Sequence, residues 1–175
     1  RTLATGNVGL TNTVLTGGNA TYQDNLQVVA TSTNAKLAFA NPANLVASTS
    51  GNVVVTAASA GSLTGTANLA LTSKVLAGTT GLSDVALAGQ TVAVTGAAYD
   101  YANAALSSST LAFGTIHVGA AAVTRNVSVA NTKITSATYQ DNLTATATAV
   151  TGLSVNTLSE MAADTSGNLV LTASA

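Results

Sequence analysis

The chain has 175 residues, of which 6% are charged and 3% aromatic, with no cysteine, no tryptophan and one histidine, His117. Those counts exclude a disulfide scaffold, thiolate metal sites and cysteine nucleophiles. A net charge of −1 gives no electrostatic pull toward nucleic acid or an anionic membrane.

Hydrophobic residues reach 47%, whereas disordered chains combine low hydrophobicity with high charge. The chain is therefore expected to fold. Its apolar runs, such as Val53–Val55 and Ala120–Val123, fall far short of the ~20 residues of a membrane span, so membrane insertion is not expected. No signal-peptide pattern is present and the first residue is Arg1, which reads as a processed or excised piece of something longer. With so few charges, copies repel one another weakly, and a net charge near zero favours association.

Period-2 alternation of apolar and polar residues marks strands along the chain. The first expected strand is Gly6–Asn12. The heptapeptide Ala20-Thr-Tyr-Gln-Asp-Asn-Leu26 follows and reads as a turn, since Asp and Asn bond their own backbone and Tyr22 can pack over it. Further strands are expected at Thr66–Thr72 and Gln90–Ala97. The stretch 98–106 reads as a linker and is the most tyrosine-rich part of the chain, with Tyr99 and Tyr101 flanking Asp100.

Thr110–Gly119 is then expected to be a strand that changes phase. Leu111 and Phe113 share one parity, Ile116 and Val118 the other, with Gly114-Thr115 between them. A one-residue slip flips the buried face, so a bulge or a switch of sheet is expected there. Arg125–Asn131, Leu143–Ala149 and Asn168–Ala173 read as strands. A short helical turn is expected at Leu158–Ala163.

The chain repeats itself. Ala137–Leu143 is identical to Ala20–Leu26, and Tyr22 and Tyr139 lie 117 positions apart. Asn7–Thr13 aligns with Asn126–Thr132, and Thr49–Ala57 with Thr165–Ala173. Solenoid rungs repeat every 20–50 residues, while one β-sandwich domain takes roughly 100. The reading is all-β, as tandem β-sandwich repeats of about 117 residues, one nearly complete and one partial.

The elements Leu111, Phe113, Gly114, Ile116, Val118 and Gly119, followed by Val127, Val129, Asn131 and Thr132, resemble the bacterial choice-of-anchor D repeats. They resemble the hydin-like immunoglobulin-type domains more distantly. The first copy keeps only the second half of the pattern, at Asn7–Thr13. The glycine that usually follows Asn-Thr is replaced by Val14 and Lys133. The resemblance implies immunoglobulin-like sandwiches, a secreted or surface-attached bacterial protein, tandem arrays and no enzyme activity. It divides the chain into 1–97, a repeat lacking its first strand; the 98–106 linker; and 107–175, the first strands of a second repeat.

Few residues offer chemistry. His117 has no second histidine beside it for a zinc site, and no Gly-x-Ser-x-Gly elbow occurs. No catalytic, metal or cofactor site is expected. Lys36, Lys74 and Lys133 raise a Lys–Asn isopeptide cross-link, which would need a buried Lys, an Asn and a catalytic carboxylate together, and the chain has few acids. The residues expected to matter are Tyr99, Asp100 and Tyr101 at the junction of the repeats, with Tyr22 and Tyr139. The expected function is a non-enzymatic structural unit of an extracellular or cell-surface filament, sheath or matrix fibre. It would self-associate into a filament or array; the incomplete repeats read as a window of a longer tandem array, the other reading being completion by strand exchange with neighbours. The alternative is an adhesin stalk or a module binding a glycan or surface ligand.

Overall fold

The structure is a computed structural model that describes residues 5–79, 81–148 and 150–174. It is all-β, with antiparallel sheets throughout. It forms two units, Thr2–Ala98 and Tyr99–Ala175.

In the first unit, β1 (Thr5–Thr11), β2 (Asn25–Thr31), β3 (Leu37–Ala40) and β4 (Ser50–Ala57) are followed by β5 (Gly61–Ser62) and the ten-residue β6 (Gly65–Lys74). Then come β7 (Val85–Ala86), β8 (Gln90–Val94) and β9 (Ala97–Ala98). One sheet has the order β1-β4-β3; another runs β2-β6-β7, with β8 also on β6; β5 pairs β9. Burial alternates as a half-buried strand demands. Val53, Val55 and Ala57 of β4 point inward, as do Ala67 and Leu69 of β6. Val28 and Ala30 from β2 and Leu69 from β6 meet Val53 from β4, and Val8, Leu10, Phe39 and Val92 pack around them. The two main sheets thus face each other in a sandwich-like core. Val53 is fully buried, and burying a side chain of this kind contributes about 1.5–3 kcal/mol.

In the second unit, β10 (Ala104–Leu106), β11 (Val123–Asn131), β12 (Leu143–Ala145), β13 (Leu153–Val155), β14 (Leu158–Met161) and β15 (Thr165–Ala173) follow in turn. They form a sheet of order β10-β11-β15-β13 and a β12-β14 pair.

The sequence repeat is also a repeat of register. Leu10 faces Gly51 as Val129 faces Gly167, and Leu37 faces Ala57 as Leu153 faces Ala173. Leu26 bridges Leu45 as Leu143 pairs Met161. Ser48 and Asp164 take the same left-handed turn conformation, with φ of 62° and 64°.

Several expectations are corrected. Thr110–Gly119 contains no strand. Gly114 (φ 75°) and Gly119 (φ 80°) turn the chain, Val118 is 95% exposed, and Ala104–Leu106 already occupies the outer edge of β11. His117 is accordingly exposed in irregular chain, its carbonyl accepting from the Ala120 amide. Leu158–Ala163 is not helical: Leu158–Met161 is strand, and Glu160 at φ 55° is incompatible with a right-handed turn. The strand expected over Leu143–Ala149 stops at Ala145, and Ala149 lies outside the described residues. The stretch read as a 98–106 linker is divided: Ala98 closes β9, while Ala104–Leu106 is strand in the second unit.

Candidate functional site

The repeated polar residues build the same hydrogen-bonded lock in each unit. In the first, Asn12 ends the β1 edge. Its Nδ2 donates to the carbonyls of Asp24 (3.0 Å) and Leu45 (2.9 Å). Gln23 Nε2 donates to Asn12 Oδ1 (2.7 Å) and to the Thr13 carbonyl (3.0 Å). In the second, Asn131 Nδ2 donates to the carbonyls of Asp141 and Met161, both at 3.0 Å. Gln140 Nε2 donates to Asn131 Oδ1 (2.8 Å) and to the Thr132 carbonyl (3.0 Å). The Asn backbone is held alike, with Ser48 N donating to Asn12 O and Asp164 N to Asn131 O, both at 2.7 Å.

The local sequence explains the geometry. Ala20–Tyr22 and Ala137–Tyr139 each form one turn of 3-10 helix, which leaves the following glutamine extended and able to reach the Asn. Asn19 caps the first turn through its side chain; Ser136 makes no such bond. A small residue after the lock lets the chain close over it. At Gly51 a Cβ would come within 2.7 Å of Leu45 and 2.9 Å of Pro42, and at Gly167 within 3.2 Å of Leu158 and Met161.

The locks differ in two bonds: Gln140 Oε1 accepts from the Ile134 amide (2.8 Å), with no counterpart at Gln23 among the described residues, and Asn131 has one partner more than Asn12. A side-chain amide has two donor hydrogens and an oxygen with two lone pairs. In Asn131 all four are engaged, because the Asn103 amide also donates to Oδ1 (3.0 Å). In Asn12, among the described residues, Oδ1 receives only Gln23. The added partner comes with the segment leading into β10. Asp100 N donates to the Tyr139 carbonyl and Asp141 N to the Asp100 carbonyl, both at 2.9 Å, and Thr132 N donates to the Asn103 carbonyl at 2.8 Å. The Tyr99 ring packs edge-on against Tyr139, centroids 5.6 Å apart.

The structure thus brings Tyr99, Asp100 and Tyr139 together in the second unit, with Asp100 6% exposed. Tyr101 stays largely exposed at 57%, and Tyr22, in the first unit, is 83% exposed. The sequence reading named Asn131 only within the Asn-Thr motif and Gln23 and Gln140 only within the repeated turn, and gave none of them, nor Asn12, a bonding role; their place inside repeated segments is the signal that marks them.

Among the described residues there is no group of three or more His, Cys, Asp or Glu that could hold a metal. Lys36 Nζ donates to the Ala60 carbonyl. Lys74 pairs with Asp84, and Lys133 faces Asp164 at 3.7 Å. The Lys74 ammonium, then the Val75 amide, hold the Asp84 carboxyl below the usual carboxylate range. Along the β1 side of the first unit runs an open groove lined in part by Gly6, Asn7, Val8, Val92, Ala93 and Val94.

No known protein family, curated protein or solved structure matches the chain.

Proposed function

We propose that this chain is a non-enzymatic structural repeat of an extracellular or cell-surface filament, sheath or matrix fibre, built from immunoglobulin-like sandwich units. The supporting observation is the duplicated lock. The same Asn, Gln and turn residues recur 116 to 119 positions apart and rebuild one bond pattern in one register. A unit copied within a chain and pinned by backbone-directed amides supplies regular, extensible scaffolding. The low charge lets neighbouring copies approach without repulsion. Mechanically, ladder bonds perpendicular to the strands resist shear, and the lock ties three loops to the end of one strand.

Sedimentation velocity over rising concentration, with electron microscopy of the same samples, tests the reading. Linear oligomers growing with concentration are expected. A strictly monomeric species at high concentration would overturn it.

A further inference from the structure

The two locks stand beside two strand edges in different states. The outer edge of β11 carries β10, with Ala104 opposite Asn131, Ala105 opposite Ala130 and Leu106 opposite Val129. Beyond it, Ser107 N donates to the Ser128 carbonyl and Ser128 N to Ser107 Oγ, both at 2.9 Å. The matching edge of β1 carries nothing: among the described residues β1 pairs only with β4. The matching positions are Asn12, Thr11, Leu10 and Gly9.

Burial follows the same division. Asn131 and Gln140 are 0% and 5% exposed, whereas Asn12 is 9% exposed and Gln23 only half-buried. Tyr139 is half-buried beneath Tyr99, while its twin Tyr22 is bare. Among the described residues, groups that receive the segment in the second unit have unoccupied twins in the first, namely the Asn12 Oδ1 lone pair, the Thr13 amide, the Tyr22 carbonyl and the Tyr22 ring. An exposed row of strand amides and carbonyls is a template for one more strand.

We propose that the outer edge of β1, with Asn12, Gln23 and Tyr22, is a receptor for an extended strand of the Tyr99–Ser108 type, carried by another repeat of this kind. The strand enters antiparallel to β1. Its Ala104 equivalent sits opposite Asn12 and its Leu106 equivalent opposite Leu10. Its Asn103 equivalent donates its amide to Asn12 Oδ1, and its Tyr99 equivalent covers Tyr22. Past Leu106 the strand continues along Gly9 toward Gly6, the β1 wall of the open groove. The inference names the joint of the structural array proposed above and rests on that reading.

The test adds a synthetic peptide spanning Tyr99–Ser108 to the full chain and follows amide and side-chain resonances by NMR. Saturable shifts confined to Gly9–Thr13, Tyr22 and Gln23 are expected. A peptide with Asn103→Pro, which lacks the amide proton, is expected to bind about tenfold more weakly. A Tyr99→Ala peptide is also expected to weaken binding, and neither change affects the folding of the receptor. No saturable shift, shifts centred elsewhere, or equal binding by the proline peptide would overturn the proposal. The outcome is separable from the assembly reading. Linear oligomers without peptide binding would place the joint elsewhere, and peptide binding to a chain that never assembles would keep the receptor and remove the array.

Discussion

The first unit closes its core and leaves an edge open, while the second covers that edge and has little to close its core. In Thr2–Ala98, β2 is flanked by the ten-residue β6, which brings Leu69 over Val28 and Val53. The twin of β2, the three-residue β12, pairs among the described residues only with the short β14. Among the described residues β6 has no counterpart in the second unit. The four bonds donated by the Asn and Gln side-chain amides are nevertheless the same in both. The lock is therefore set by local sequence, by the 3-10 turn, the extended Gln and the strand-ending Asn, and not by the packing of the opposite sheet. The core and the edge are separate modules of one repeat.

Core truncation should separate the two units most. Leu69→Ala is expected to destabilise the first unit by about 2–5 kcal/mol, read by urea unfolding followed at first-unit residues. Leu169, the twin of Val53, is 8% exposed, and Leu169→Ala is expected at or below about 2 kcal/mol, the low end of that range. Equal losses would mean that the second unit has as tight a core as the first.

The lock comes next. Asn131→Ala strips donors from the Asp141 and Met161 carbonyls and an acceptor from Gln140 and Asn103. Leaving a buried polar group unpaired costs about 1–3 kcal/mol. Asn12→Ala is expected to cost less, because water reaches Gln23 more easily than Gln140. Thermal unfolding of the pair checks the order, and a larger loss for Asn12 would refute the role given to the Asn103 contact.

These amides also show how far the sequence could be read. The all-β class and the repeat were visible in Leu69, Leu71, Val92, Val127 and Val129, which alternate, and in the identical heptapeptides. The role of Asn12 and Asn131 was not, because a strand-ending Asn reads as a turn former until its carbonyl and amide partners are known to converge. Ala104–Leu106 was read as linker since alanine has weak strand propensity; its pairing comes from the edge of β11 and from Asn103. Conversely, Leu111 and Phe113, then Ile116 and Val118, alternate in two opposite parities, yet among the described residues Thr110–Gly119 joins no sheet.

Smaller effects sharpen the comparison. Gly51→Ala forces a Cβ against Leu45 and Pro42, and overpacking of this kind costs about 1–3 kcal/mol. Gly167→Ala meets only side-chain ends at 3.2 Å, and is expected to cost less than about 1 kcal/mol. Differential scanning calorimetry of the two variants reads the gap.

The smallest effect is on pH. The Asp84 carboxyl sits below its ordinary value of 3.8 because Lys74 and the Val75 amide favour the ionised form. A depressed folded-state pKa contributes stability that is present above the ordinary value and fades as pH falls through it toward the folded value. The β6–β7 hairpin is therefore expected to loosen first below about pH 4, seen as line broadening at Val85 and Ala86. Asp84→Asn should abolish that pH dependence.

The most direct test of the open and covered edges is amide hydrogen exchange at the twin residues Thr13 and Thr132 in one sample. Thr132 donates to the Asn103 carbonyl, while Thr13 has no such partner among the described residues. The account predicts strong protection at Thr132 and near-random-coil exchange at Thr13. Equal protection at both positions would contradict it.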